Sequence, residues 1–93
     1  MARPPTVVNV RRDPYDVYIG RPSKWGNPFK IGKDGGRQLV ISKYRAWILH
    51  KFPDPTELGL ALLELEGKRL GCYCKPAACH GDVLVALFKE HCT

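Results

Sequence analysis

A chain of 93 residues has room for one small domain with a single modest core, which excludes a two-domain organisation. An apolar content of 44% and an aromatic content of 10% are typical of a folded protein and exclude an intrinsically disordered one. The formal net charge of +6 is uneven: residues 1–51 carry 11 Lys and Arg against 3 Asp, which indicates that this half faces an anionic partner.

The location is predicted from two further features of the sequence. No apolar run approaches the roughly 20 residues of a membrane span, and the N-terminus lacks the apolar segment of a signal peptide. We therefore expect a cytoplasmic protein with no membrane partner. Thiols stay reduced in that compartment, so the four cysteines indicate metal binding, chemistry or burial rather than disulfides.

The predicted elements follow the order β-β-α-α-β-α. Residues 1–6 are predicted as a flexible arm, because they offer little to bury, and residues 7–93 as one α/β domain. Strands are expected at Thr6 to Val10 and at Asp16 to Ile19, where β-branched and aromatic residues cluster.

An irregular loop is predicted from Arg21 to Phe29, since it contains two prolines, a glycine and an asparagine. Such a loop, rich in hydrogen-bond donors, is a candidate binding loop. Its candidate ligand contacts are Arg21 and Lys24 for charge, Ser23 and Asn27 for hydrogen bonds, and Trp25 for stacking on a base.

Two helices follow. The spacing of Val40, Tyr44, Trp47 and Ile48 predicts an amphipathic helix over about Arg37 to Lys51. A second helix is predicted to begin with Asp54 as N-cap and Pro55 at the first helical position, with Gly67 as its C-terminal stop.

The third strand, Leu70 to Cys74, leads through a turn at Lys75 into a last helix that begins near Cys79 and runs to about His91. A helix start favours anions and thiolates, because its N–H groups are unpaired and its dipole is positive there. Lys75 adds a positive charge in the turn just before this helix start and is therefore a candidate contact for an anionic ligand. Cys79 is the candidate nucleophile, with His80 or Asp82 as its proton partner.

The element order places the two candidate loops together. Strands two and three are in a crossover relation, which predicts parallel pairing, and ligands of open parallel sheets lie beyond the carboxyl ends of the strands. Those ends are Gly20-Arg21 and Cys74-Lys75. The expected fold is thus an α/β domain with a three- to four-stranded mixed sheet and about three helices, and with both loops at one edge.

The chain resembles a family found mostly in phages and bacteria, catalogued as domain of unknown function 4326. The resemblance rests on G-R-P-S-K-W-G-N-P-F (Gly20 to Phe29), K-Y-R-A-W, and L-G-C-Y-C-K-P-A-A-C-H-G-D-V-L (Leu70 to Leu84). It covers roughly residues 15–90. It implies nucleotide or nucleic-acid chemistry and, for a phage-encoded chain, the host cytoplasm. The second segment is also similar to the C-H-R segment of domain of unknown function 488, from which this chain departs at Gly81.

The leading functional hypothesis is binding of a phosphate-bearing ligand, above all a nucleotide, between the two loops, with no cofactor required. A catalytic step in phage nucleotide or nucleic-acid metabolism would fall to Cys79, His80 and Asp82. A simpler interpretation, in which the positively charged side chains only contact solvent, stays open.

The alternative hypothesis is a small basic nucleic-acid-binding module. Its phosphate contacts would be Arg11, Arg12, Arg21, Lys24, Lys30, Lys33 and Arg37. Zinc would stabilise such a module through Cys72, Cys74, Cys79 and His80, which have the right ligand types but not a standard spacing. Buried thiols that only fill space are the simpler interpretation of the same cluster.

Overall fold

Three short strands form one sheet in the computed structural model, which describes residues 3–92. Strand β1 spans Thr6–Asn9, β2 spans Val17–Tyr18 and β3 spans Arg69–Cys72. The strand order is β1-β3-β2, and both outer strands are parallel to β3. The predicted α/β class and the parallel pairing of the second and third strands are confirmed. In place of a mixed sheet, all three strands are parallel, because β1 also pairs parallel with β3.

The three helices are α1 (Arg37–Lys51), α2 (Pro55–Leu63) and α3 (His80–Cys92). The predicted cap of α2 is present: an Asp54 Oδ1 atom accepts a hydrogen bond from the Thr56 N–H at 2.9 Å. Gly67, predicted as the stop of this helix, lies beyond it: α2 ends at Leu63 with Glu64 as C-cap, and Gly67 has a φ of +67° in the turn that follows, a conformation that favours glycine. Within residues 3–92, no helix is long and apolar enough to cross a membrane.

The core lies between the sheet and the helices. The central strand is buried from Leu70 to Cys72, as expected for a parallel strand that has neighbours on both sides. The helices contribute Tyr44 and Ile48 from α1, Leu58 and Leu62 from α2, and Leu84, Leu87 and Phe88 from α3, all fully buried.

Residues 3–6, assigned by composition to a flexible arm, are packed against the domain. Pro5 is buried, and the Thr6 N–H donates to the Lys68 carbonyl at 3.1 Å as β1 begins. The Arg3 carbonyl accepts a hydrogen bond from the Gly67 N–H at 2.8 Å. The first two residues of the predicted arm, Met1 and Ala2, lie outside the described residues, as does Thr93.

Gly81, in the first turn of α3, allows this helix to lie directly on the sheet. A Cβ atom at this position would come within 2.8 Å of the Ile19 Cδ1 atom and 2.9 Å of a Val7 methyl carbon. At such distances any side chain would have to displace Ile19 or Val7, so Gly81 is a packing position in this chain. The close approach places the start of α3 beside the carboxyl ends of β2 and β3.

Candidate functional site

A cavity of about 620 Å³ lies at the carboxyl edge of the sheet. It is bounded by residues 20–31, the first turns of α1 and the connection between β3 and α3. The two segments singled out by the sequence therefore meet here, because β2 and β3 are adjacent and parallel. Its size is in the range of small-molecule sites.

The charged groups on the cavity walls are all positive. Arg21, Lys30 and Arg37 line it, and no Asp or Glu among residues 3–92 does so. The Arg37 guanidinium is held in place by one hydrogen bond, from Nη1 to the Ala78 carbonyl at 2.9 Å. Such a wall favours an anionic ligand.

Aromatic rings lie beside these cations. Tyr18, Phe29 and Tyr73 line the cavity, and Tyr73 is 57% exposed. The Tyr18 ring contacts the Tyr73 ring edge-on, with centroids 6.2 Å apart, and the Arg11 guanidinium lies 5.2 Å from the Tyr73 centroid. Tyr18 also donates its hydroxyl hydrogen to the Arg21 carbonyl at 3.1 Å, which fixes the start of the loop.

Two cysteines form part of the cavity floor. The Cys72 Sγ atom, at the end of β3, lies 3.3 Å from the Cys79 Sγ atom, just before α3. The hydrogen bond from the Cys79 thiol lowers the pKa of Cys72, and backbone N–H groups of Lys75 and Cys74 lower it further. The same hydrogen bond, together with burial, raises the pKa of Cys79. Both effects favour the thiolate on Cys72 over the thiolate on Cys79.

Asp82 lies behind this pair and outside the cavity. One of its carboxylate oxygens accepts a hydrogen bond from the Cys79 backbone N–H at 3.1 Å. A carboxylate at a helix start is stabilised by the dipole, so Asp82 fixes the first turn of α3.

His80 is held in one orientation. Its Nε2 atom lies 2.7 Å from the Ile19 carbonyl oxygen, which can only accept, so Nε2 carries the proton. Burial lowers the pKa of His80, and the Tyr44 ring packs against the imidazole with centroids 4.9 Å apart. The imidazole is therefore neutral near pH 7 and joins β2 to α3.

Trp25 and Lys24, predicted as ligand contacts, lie away from the cavity. Trp25 is only 3% exposed, and its ring stacks on Phe52 with centroids 6.3 Å apart. Its carbonyl accepts a hydrogen bond from the buried Tyr44 hydroxyl at 2.7 Å. The tryptophan thus anchors the loop in the core, where no base can stack on it. Lys24 pairs with Glu64 at 2.6 Å on the outer surface.

Three other predicted contacts have different surroundings. Asn27 lines the cavity, but its amide is engaged with the Val40 carbonyl at 3.2 Å and the Phe29 N–H at 2.9 Å, so it shapes the loop. Ser23 lies outside the cavity with a buried Oγ that has no hydrogen-bond partner. Lys75 lines a second, shallower cleft of about 210 Å³, where its carbonyl accepts from Asn9 Nδ2 at 2.7 Å.

Sequence reasoning missed several wall residues. The sequence does not predict Tyr18, Phe29 or Tyr73 as ligand contacts, and it predicts Lys30 and Arg37 only as contacts for nucleic acid. Arg37 carried a usable signal, since it opens α1 directly after Gly35-Gly36. Tyr73 carried no such signal, because the predicted strand Leu70 to Cys74 includes it; in the structure β3 ends at Cys72 and Tyr73 is exposed just beyond it.

No group of three or more His, Cys, Asp or Glu side chains is arranged to hold a metal ion within residues 3–92. Cys72 and Cys79 are adjacent, but His80 directs Nε2 to a backbone carbonyl. The zinc set of Cys72, Cys74, Cys79 and His80 stays an alternative prediction.

The comparison with known families identifies the chain. The model of the family described as "Domain of unknown function (DUF4326)" matches residues 6–90. The chain belongs to this family. It is 37% identical over 89 residues to the "Uncharacterized 12.4 kDa protein in nrdA-td intergenic region" of Enterobacteria phage T4, covering 90% of this chain and 81% of that protein.

A second relative is the "Uncharacterized protein R718" of Acanthamoeba polyphaga mimivirus. It is 32% identical over an alignment of 109 residues, which covers 91% of this chain and 80% of that protein. No solved structure matches the chain significantly. The family therefore includes viral proteins, and the chemistry has to be inferred from the site itself.

Proposed function

We propose that the cavity binds a phosphate-bearing ligand, with a nucleotide as its best occupant, in the cytoplasm and without a cofactor. The observation that carries this proposal is the charge of the cavity wall: Arg21, Lys30 and Arg37 line it, and none of the Asp or Glu residues among residues 3–92 does so. The four free cysteines agree with a reducing compartment.

The arginines suit a phosphate better than a single point charge would. A guanidinium carries five N–H donors in a planar fork that matches two phosphate oxygens. One donor of Arg37 is bonded to Ala78, so its orientation is set before the ligand arrives and less entropy is lost on binding. Lys30 adds a third charge on the same wall.

The exposed Tyr73 ring supports a base-bearing ligand. It lies on the cavity wall with more than half of its surface accessible. Stacking of a base on an aromatic side chain contributes about 1–3 kcal/mol and tolerates any base. This ring takes the role that the sequence assigned to Trp25.

A reaction on the bound ligand remains a proposal for the predicted residues. Cys79 and His80 line the cavity, whereas Asp82 acts on them through the first turn of α3. The neutral imidazole has a free lone pair on Nδ1, which suits a proton acceptor.

Isothermal titration calorimetry with nucleoside 5′-monophosphates tests the binding proposal. Arg21→Ala and Arg37→Ala are each expected to weaken binding at least tenfold, about 1.4 kcal/mol. Arg45→Ala is the charge-matched control, because Arg45 pairs with Glu90 at 2.9 Å outside the cavity, and it should leave the affinity unchanged. Tyr73→Ala should weaken nucleotide binding but not binding of inorganic phosphate, while Tyr73→Phe should behave as wild type.

Two results would contradict this proposal. One is equal affinity for nucleosides and their monophosphates, which would remove the phosphate from recognition. The other is that the cavity variants bind as tightly as Arg45→Ala. Native mass spectrometry of the purified protein tests the zinc alternative separately, since a bound zinc ion adds its mass and is lost in acid.

A further inference from the structure

Cys72 and Cys79 bring two thiols together at the floor of the cavity. Their sulfur atoms are 3.3 Å apart, and both thiols are free. A disulfide needs an S–S distance of about 2.05 Å, so a movement of little more than 1 Å would join them. One lies at the end of β3 and the other at the start of α3, and both contribute to the cavity floor.

The two sulfurs are in unequal environments, which gives them different roles. The Cys79 thiol and the backbone N–H groups after β3 lower the pKa of Cys72, which favours its thiolate. The Cys79 sulfur accepts a hydrogen bond from the Gly81 N–H at 3.3 Å, and its contact with the Cys72 sulfur, together with burial, raises its pKa. When a thiolate lies next to a thiol, the thiolate can act as the attacking cysteine and the thiol as the resolving cysteine.

We propose that Cys72 and Cys79 form a peroxide-reactive dithiol at the floor of the cavity. The Cys72 thiolate attacks one oxygen of a hydroperoxide and the O–O bond breaks; the leaving hydroxide or alkoxide takes a proton from solvent, so that the products are a Cys72 sulfenic acid and water or an alcohol. Cys79 then loses its proton and attacks the Cys72 sulfur, so that the S–S bond forms as the S–O bond breaks, and the leaving hydroxide takes up that proton and departs as water. Two thiols are oxidised and one peroxide is reduced.

The burial of the pair selects a small oxidant. Cys72 is 2% exposed and Cys79 is 3% exposed, so a bulky disulfide cannot reach either sulfur without opening the site. Hydrogen peroxide is small and uncharged and can enter through the cavity.

The other two cysteines provide matched controls. Cys74 is half-buried on the cavity wall, so it is accessible to the same solvent as Cys72 and Cys79 but is not part of their thiol pair. Cys92 lies at the end of α3, where its thiol donates to the Gly59 carbonyl at 3.5 Å, and partial burial raises its pKa. Neither is expected to react at the concentration that oxidises the pair.

The test treats the ligand-free, full-length protein with stoichiometric hydrogen peroxide, followed by alkylation and mass spectrometry. We expect the loss of two alkylatable thiols and of the mass of two hydrogen atoms. Cleavage after Tyr73 separates Cys72 from the other cysteines, and fragmentation then distinguishes Cys74 from Cys79. This mapping uses only the wild-type protein, so it does not depend on a variant that folds.

Variants assign the roles. Cys79→Ser should stop at the sulfenic acid, which dimedone traps on Cys72, whereas Cys72→Ser should give neither disulfide nor adduct. Cys74→Ser and Cys92→Ser should oxidise as wild type does. A disulfide that includes Cys74 or Cys92, or four thiols that all remain after treatment, would overturn the proposal. Because no nucleotide is present, the outcome is independent of the binding proposal.

Discussion

At the scale of single residues, His80 links the site to the stability of the fold. Its neutral imidazole donates to the Ile19 carbonyl, and burial lowers its pKa below the ordinary value of 6.5. The Arg21 charge also lowers this pKa, whereas the Ile19 hydrogen bond and the Asp82 carboxylate oppose the shift. Since the unfolded chain takes up the proton first, the free energy of unfolding should fall as the pH drops below about 6.5.

His80→Gln isolates this contribution, because glutamine keeps an N–H donor but does not titrate. Urea denaturation between about pH 7 and pH 5 should show a steeper loss of stability for wild type than for the variant. The carboxylates titrate alike in both proteins, so they cancel in the comparison. Parallel profiles would mean that His80 titrates equally in the folded and unfolded chain.

At the scale of elements, α3 packs closely on the sheet because Gly81 has no side chain. Gly81→Ala would place a methyl group within 3 Å of Ile19 and Val7 atoms, and overpacking of this kind costs about 1–3 kcal/mol. We expect that loss in chemical denaturation even though alanine is the better helix former.

Gly59→Ala is the control for helix propensity. Gly59 lies inside α2, and the nearest atom to an added Cβ is the His91 carbonyl oxygen at 3.8 Å, an ordinary contact. This variant should be as stable as wild type or more stable by up to about 1 kcal/mol. If Gly81→Ala and Gly59→Ala change the free energy of unfolding by the same amount, the close approach of α3 to the sheet does not restrict the size of residue 81.

At the scale of the whole molecule, the distribution of charge separates a nucleotide site from a nucleic-acid surface. Arg12 lines the second cleft beside Lys75, outside the main cavity. A single strand that tracks the surface would use it, whereas a mononucleotide in the cavity would not. Under the proposed function, Arg12→Ala should leave both the affinity for a nucleoside monophosphate and its salt dependence unchanged.

The same variant can be measured with a short oligothymidylate as the probe. If single strands bind across the carboxyl edge, removing Arg12 should reduce the slope of log K against log salt by about 0.7. That result would favour the basic nucleic-acid-binding module over the nucleotide site. Fluorescence anisotropy over a range of salt concentrations provides the measurement.

The sequence by itself determined the helices, the two loops and the edge where they meet. These features depend on local chemistry: the apolar period of α1, the Asp54-Pro55 cap and the prolines of the loop each act over a few residues. The parallel pairing of β2 with β3 then follows from the order of the elements, because strands joined by a crossover connection pair parallel.

Only the tertiary structure decided which side chains face the cavity. Trp25 was the obvious stacking residue, but the hydrogen bond from Tyr44 and the Phe52 ring hold it in the core, and the exposed ring on the wall is Tyr73. The pairing of Cys72 with Cys79 likewise requires the residue just before α3 to lie beside the end of β3. Burial and thiol pairing depend on contacts between residues distant along the chain, and no local pattern encodes those contacts.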